Sequence, residues 1–324
     1  ISAQASIFLV GLYFKQIKCS MSITVSNITK IYGEQKALNG VSFSINTGQV
    51  VGFLGPNGAG KSTMMKIISG FIPPTTGEVL VSGTSIFSSD YDFRRNVGYL
   101  PENNPLYTDM YVKEYLLFVA RIYGLGSKSN QRVKELIDLT GIGYEQNKRI
   151  GSLSKGYKQR VGMAQALMHD PEVLILDEPT SGLDPNQIVE IRRLITEVGR
   201  EKTVMLSTHI MQEVEAICQR IIIINRGNLI ADGSNSEILA LSSSKGQSVQ
   251  VEFTQDIDFA RLKTIEGVSY VKAISAKAAI VGSQQSSDIR PNIFNFAVSN
   301  GLVIVHLEEK GTHLEDIFQT LTMQ

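Results

Sequence analysis

The eight residues Gly55-Pro56-Asn57-Gly58-Ala59-Gly60-Lys61-Ser62 follow directly on the apolar run Val50-Val51-Gly52-Phe53-Leu54, and from Thr63 onward the spacing turns helical. A strand, a glycine-rich turn and a helix in that order form a phosphate-binding unit. The glycines let the backbone turn tightly enough for successive N–H groups to face the β- and γ-phosphates of a nucleotide. Lys61 adds a point charge, Ser62 offers its hydroxyl to Mg²⁺, and the phosphates sit at a helix N-terminus. The bland alternative is a chance glycine-rich turn, which the flanking strand and helix make much rarer.

With 324 residues the chain exceeds a typical single domain, and one large domain plus a smaller one is expected. Lys+Arg and Asp+Glu are equal at 31 each, a balance that gives no basic footprint for nucleic acid. Cys19 and Cys218 are too few for a disulfide framework and fit reduced thiols in the cytosol. The histidines His169, His209, His306 and His313 are scattered without metal-ligand spacing. The longest apolar stretch, Ser6–Phe14, is far short of the roughly 20 residues that a membrane-spanning helix needs. Residues 1–21 read as an extension outside the fold or a start-site artefact, with a short amphiphilic membrane anchor as the alternative.

From Ser22 short β-like runs alternate with helical stretches, the sign of an α/β domain. Strands are expected at Ile23–Val25, Val41–Ile45, Gly77–Ser82, Val97–Leu100, Val173–Leu176, Val204–Ser207 and Ile221–Ile224. Helices are expected at Val112–Tyr123, Asn130–Thr140, Gly156–Met168, Ile188–Val198 and Met211–Cys218. This domain covers 22–240, a Ser/Gly/Lys-rich linker 241–248, and an accessory domain 249–324. The accessory pattern is β-α-β-β-α-β, of ferredoxin-like type, ending in a helix at Leu314–Leu321. It carries no catalytic constellation.

At the end of the apolar run Val173-Leu174-Ile175-Leu176 stand Asp177 and Glu178. Downstream of a phosphate loop, Asp177 is placed to hold Mg²⁺ through water and Glu178 to polarise an attacking water. Either carboxylate alone could simply cap the next turn, but after an apolar run downstream of a phosphate loop the functional reading prevails. Upstream lies Leu153-Ser154-Lys155-Gly156-Tyr157-Lys158-Gln159-Arg160, and downstream lie Ser181-Gly182-Leu183-Asp184 and Ser207-Thr208-His209.

With these motifs in this order, the span from about Ile23 to Gly233 resembles the ATP-binding subunits of ABC transporters. The resemblance implies a P-loop NTPase fold with a parallel-sheet core, an antiparallel β subdomain and a helical subdomain. It implies that Tyr32 stacks on adenine and that residues Gly55 to Thr63 cradle the phosphates. Ser154 and Gly156 then match donors that reach the γ-phosphate of ATP held by a second subunit, and Asp184 the loop that communicates across the pair. Glu178 matches the general base and His209 the switch residue at the γ-phosphate. Because the chain holds one set of motifs, two subunits are expected to pack head-to-tail with ATP between them. The stretch Pro101-Glu102-Asn103-Asn104-Pro105-Leu106-Tyr107 and the segment from Thr312 to Phe318 look like the branch that pairs with ABC-2-type permeases. Within it, the span from Met21 is most similar to gliding-motility-associated ATP-binding subunits of Bacteroidetes. The implied place is the inner face of the cytoplasmic membrane, beside a polytopic permease. A soluble relative acting on nucleic acid or ribosomes is the alternative, and the chain has neither the paired ATPase domains nor the coiled-coil insertions usual there.

Two departures from the family pattern stand out. Lys155-Gly156-Tyr157 replaces Gly-Gly-Gln, keeping Ser154 and Gly156; Lys155 either adds charge at the triphosphate or is a solvated surface lysine. Glu102 replaces the usual Gln, and a carboxylate about 5 Å from phosphate charge costs roughly 3 kcal/mol per charge at an effective dielectric near 20. Glu102 is therefore expected to bind Mg²⁺ directly or to swing away until metal arrives. Glu102→Gln should change the Mg²⁺ dependence of ATPase activity, and an unchanged metal titration overturns this reading.

Overall fold

The computed structural model describes residues 21–88, 93–240, 248–283, 288–309 and 317–318. The expectations for residues 1–20, for the linker at 241–247 and for nearly all of the C-terminal helix lie outside the described residues. The chain divides into two units, one ending at Ile230 and the next beginning at Ala231, so the division precedes the expected linker.

In the first unit, β1 (Met21–Tyr32) and β2 (Gln35–Asn46) form an antiparallel ribbon. There follow β3 (Val50–Leu54), α1 (Lys61–Ile68), β4 (Thr76–Val81), the two-residue β5 (Thr84–Ser85) and β6 (Val97–Leu100). Three helices come next, α2 (Val112–Ile122), α3 (Ser129–Thr140) and α4 (Lys155–Ala166). Then β7 (Val173–Asp177), α5 (Pro185–Val198), β8 (Thr203–Thr208), α6 (Met211–Ile217), β9 (Arg220–Asn225) and β10 (Asn228–Ser234) complete the series. The division between the units falls within β10.

One sheet has the order β2-β1-β4-β5 and is antiparallel; the other has the order β10-β9-β3-β8-β7-β6, parallel from β9 to β6. Every residue of β3, β7 and β8 is buried, as in a parallel sheet covered on both faces. Helix α1 lies between the sheets, in contact with β2 and β4 on one side and β7 and β8 on the other. Its Met64, Met65, Ile67 and Ile68 are completely buried in the shared core. That burial anchors the helix whose N-terminus closes the phosphate loop.

The helices α2, α3 and α4 pack on one another and reach the parallel sheet where α4 meets β6. The approach is close because both partners offer glycine. A Cβ on Gly98 of β6 would overlap the Ala166 carbonyl oxygen, and one on Gly162 of α4 would strike Asn104 and Leu100. Asn104 also donates to the Lys158 carbonyl at 2.9 Å, tying the segment after β6 to α4.

The second unit holds α7 (Asn235–Ala240), β11 (Ser248–Phe253), α8 (Phe259–Leu262), β12 (Val268–Ala273), β13 (Ala278–Ser283), α9 (Arg290–Ser299) and β14 (Ile304–Glu309). Its sheet has the order β12-β13-β11-β14 with antiparallel neighbours throughout, the interleaved arrangement of two split βαβ units. Val249, Val251, Phe253 and Val281 pack there against Leu262 and Ile293.

Observed and expected elements differ most in β1 and β2, each of 12 residues, where the sequence pattern marked only Ile23–Val25 and Val41–Ile45. Register shifts between Val25 and Ile28 and between Ile28 and Ile31 interrupt the alternation of apolar and polar residues. Helix α8, the first helix of the accessory pattern, is only four residues long.

Gly98→Ala should lower stability by roughly 1–3 kcal/mol, because both atoms in the clash belong to backbone or to its first carbon. A urea midpoint equal to that of the parent protein would show that β6 and α4 separate without cost.

Candidate functional site

Strands β3, β8 and β7 are parallel neighbours, with Leu54 opposite Thr208 and Asp177 opposite Ser207. The segments that leave their C-terminal ends therefore emerge side by side at one sheet edge. After β3 comes the glycine-rich loop. Gly55 approaches the Ile224 carbonyl too closely for any side chain, and Gly60 caps α1 with φ 107°, where a side chain is strained. These two positions explain why the loop needs glycine at its start and at the mouth of the helix.

Lys61 opens α1 and is 6% exposed. Its Nζ donates to the carbonyl oxygens of Gly55 at 2.7 Å and Pro56 at 3.3 Å, and lies 3.4 Å from Glu178 Oε1. Ser62 Oγ donates to Asp177 Oδ1 at 3.0 Å. The same carboxylate oxygen accepts from Ser207 Oγ at 2.6 Å, and Ser207 Oγ in turn accepts the Glu178 N–H at 3.0 Å. Glu178 has φ 49°, a left-handed conformation that a non-glycine residue adopts at a cost, and the Ser207 contact helps hold it there. Its second oxygen, Oε2, lies 2.9 Å from His209 Nδ1. Against an ionised carboxylate Nδ1 is the donor, which leaves Nε2 as the free ring nitrogen.

Lys61, Ser62, Glu178 and His209 border a cleft of 520 Å³, of a size suited to a small ligand, while Asp177 and Ser207 lie outside its lining. Its lining includes Asn57, Gly58, Gly60, Lys61, Ser62 and Thr63 of the loop and helix start, together with Glu102, Glu178, His209 and Tyr32. Tyr32 is half exposed, with Lys30 Nζ 5.1 Å from its ring centroid. Lys30 is held there by donating to the Pro73 carbonyl at 2.6 Å, so one face of the ring is covered. Glu102 borders both this cleft and a neighbouring groove of 420 Å³ that also contains Tyr99 and Asp177. The Tyr99 hydroxyl is buried without a hydrogen-bond partner, and burial together with the Asp177 charge pushes it well above the ordinary phenol range.

Ser154, Gly156 and Asp184 do not border the cleft. They form a second cluster, at the N-termini of α4 and α5. Ser154 Oγ accepts the Tyr157 N–H at 3.4 Å, and Asp184 Oδ1 accepts the Gln187 N–H at 2.9 Å. A Cβ on Gly156 would come within 2.6 Å of Gln187 Cδ, so the two helix ends are in direct contact. Sequence reasoning picked out His209 from Ser207-Thr208-His209 and passed over Ser207, whose hydroxyl holds both acidic positions. It also gave no signal for the buried Glu213, whose partners come from the turn after β7 and from the last residue of β8.

Chemically, the cleft can hold a chain of phosphates along backbone N–H groups, with one buried ammonium and one carboxylate near the reacting end. Ser62 and Asp177 present hard oxygen donors 3.0 Å apart, which fits Mg²⁺, an ion usually held by one or two protein oxygens plus substrate phosphates.

The family profile described as ABC transporter matches residues 38–181. YxlF of Bacillus subtilis (strain 168), an uncharacterised ABC transporter ATP-binding protein, is 32% identical over 299 residues, 91% of this chain and 98% of the relative. The linearmycin resistance ATP-binding protein LnrL of the same organism is 32% identical over 93% of this chain and 98% of its own length. The bacitracin transport ATP-binding protein BcrA of Bacillus licheniformis is 38% identical over 66% of this chain and 70% of its own length. Among solved structures, an ATP-binding subunit of an ABC transporter has a TM-score of 0.62 at 30% identity, over 68% of this chain and 93% of that one. A dimeric ATP-binding cassette in a post-hydrolysis state with ADP and Pi has a TM-score of 0.60 at 28% identity, over 65% and 98%.

Ser207→Ala removes the hydroxyl shared by Asp177 and the Glu178 N–H. Triphosphate turnover should fall by about tenfold or more, with nucleotide affinity changed far less. Equal losses in both, measured by steady-state kinetics and nucleotide titration, would mean that Ser207 serves binding alone.

Proposed function

The chain belongs to the ATP-binding subunits of ABC transporters, and from that membership we propose that it drives a separate ABC-2-type permease in export, as one of a pair of ATP-binding subunits. It binds ATP and hydrolyses it to ADP and phosphate. The observation that carries the reading is the convergence of Lys61, Asp177, Glu178 and His209 at the ends of three adjacent strands and the helix that follows the first of them.

On this reading the triphosphate lies along the loop from Gly55 to Thr63, and adenine stacks on the face of Tyr32 that Lys30 leaves uncovered. Lys61 exchanges part of its contact with Glu178 for phosphate oxygens, which leaves Glu178 to orient the attacking water and take its proton. His209, held through Nδ1, turns Nε2 toward the γ-phosphate. Ser62, Asp177 and Glu102 would hold Mg²⁺, which supplies neutralisation of phosphate charge when bound. Ser154, Gly156 and Asp184 act on the ATP of the other subunit in a head-to-tail pair. Each buried donor aimed at charge that grows in the transition state contributes on the order of 3 kcal/mol.

Export is favoured because the relatives named for bacitracin transport, linearmycin resistance and Nod factor export share the ATP-binding domain with this chain. The Pro101–Tyr107 stretch and the segment from Thr312 to Phe318 support the ABC-2 branch, and the finer assignment, to a surface machine of the gliding-motility kind, rests on likeness of the span from Met21. No helix among the described residues is long and apolar enough to cross a membrane; on this reading the pathway for cargo belongs to the permease. The ATPase is placed against the cytoplasmic face of that permease.

Glu178→Gln should bind ATP and shift to a dimer in light scattering, while turning over at least about a hundredfold more slowly. Turnover at the parent rate would remove Glu178 as the base. Retrieval of the intact protein from detergent-solubilised membranes should bring a many-helix protein with it, and retrieval of nucleic acid in its place would point to the soluble alternative.

A further inference from the structure

Behind the cleft, one buried carboxylate ties together the two loops that carry Glu178 and His209. Glu213, in the first turn of α6, is 1% exposed. Its Oε1 accepts from Thr180 Oγ1, and its Oε2 accepts from Thr208 Oγ1 at 2.8 Å. Thr180 lies two residues beyond Glu178, and Thr208 immediately precedes His209. Both threonines are themselves buried, at 4% and 0% exposure. Thr208 Oγ1 also accepts the Ile210 N–H at 3.1 Å, so the backbone on either side of His209 is pinned. The Glu178 side is pinned a second time by Ser207.

An apolar side chain would fill this position without the cost of burying a carboxylate. What a carboxylate offers instead is two acceptors at a fixed separation, here directed at two different loops. We propose that Glu213 is a positioning residue for hydrolysis, a clamp that sets the 2.9 Å contact between Glu178 Oε2 and His209 Nδ1. It acts on geometry and touches neither nucleotide nor water. The proposal rests on the reading of Glu178 and His209 as the hydrolytic pair.

The test is a double-mutant cycle on the full chain, read by single-turnover ATP hydrolysis and by nucleotide titration. Glu213→Ala should lower the hydrolytic rate about 10- to 100-fold, as misplacement of a catalytic group by a fraction of an ångström to an ångström does, and leave nucleotide affinity within about twofold. Glu213→Gln should recover most of the rate, because an amide can accept from Thr208 and donate to Thr180, whose hydroxyl rotates. In a His209→Ala background, Glu213→Ala should cost little more, since groups that act as a unit are not additive. Should Glu213→Ala fail to fold, Thr180→Val removes one of the two hydrogen bonds at nearly constant volume and enters the same cycle. Additive losses, or a loss confined to nucleotide affinity, would overturn the clamp while leaving the pair intact. Parent-rate turnover in both Glu178→Gln and His209→Ala would remove the pair itself and the clamp with it.

Discussion

In the parallel register of the central sheet, Phe53 pairs with Ser207 and Ser207 pairs with Asp177, so a single row crosses β3, β8 and β7 at their C-terminal ends. Each strand contributes one buried link in that row, and the next residues along each chain leave the sheet together. A slip of one residue in β7 would turn Asp177 to the opposite face and carry Glu178 out of reach of Lys61. Burial of all three strands on both faces makes such a slip costly, because every apolar side chain in them would be misplaced at once. The site thus inherits its precision from a core that has no chemistry of its own. Helix α1 adds a second constraint, since its apolar side chains are fixed between the two sheets and so hold its first residue, Lys61, in place.

Lys61 and Glu178 are the charged pair that this framework holds out of water, with side chains 6% and 8% exposed. A buried pair of this kind gains little over a neutral substitute, yet losing one partner strands the other and typically costs 3–5 kcal/mol. The carbonyl oxygens of Gly55 and Pro56 lessen that penalty on the ammonium side, and His209 does so on the carboxylate side. Both ends of the pair therefore have substitute partners. Such an arrangement is well suited to exchange: an incoming phosphate can take one contact of Lys61 without leaving Glu178 unpartnered, because His209 remains within hydrogen-bond distance.

Much of this was legible in the sequence where a single segment carries its own signal. The loop from Gly55 to Ser62 and the run from Val173 to Glu178 are contiguous, and their chemistry follows from residue types and spacing. The helices α2 to α6 were legible from their apolar periodicity, to within a few residues at the ends. Strands β1 and β2 were seen only in part, because their irregular register breaks the period-two pattern and much of their outer face is polar. The bent ribbon matters nonetheless, since Tyr32 reaches the cleft from its turn. Ser207 and Glu213 were illegible for a different reason. Their function is a relation between segments separated in the chain, Glu213 with Thr180 and Thr208, and Ser207 with Asp177 and the Glu178 N–H, and no local pattern records a meeting that only the folded sheet brings about.

The separation between the two polar clusters decides how the proposed reaction is controlled. Lys61, Glu178 and His209 are linked by direct contacts and Asp177 joins them through Ser62 and Ser207, whereas Ser154 and Asp184 spend their side chains as helix caps at a place that does not border the cleft. Each cap satisfies one N–H of its own helix and leaves the remaining first-turn N–H groups at a helix N-terminus, the end that favours an anion. Within one chain that end has no phosphate to meet. If it meets the phosphate of a second subunit, as proposed, binding energy from the pairing of subunits is delivered to the reacting end of ATP and nowhere else. Hydrolysis would then follow closure of the pair, with the two helix ends, in contact at Gly156 and Gln187, presented together.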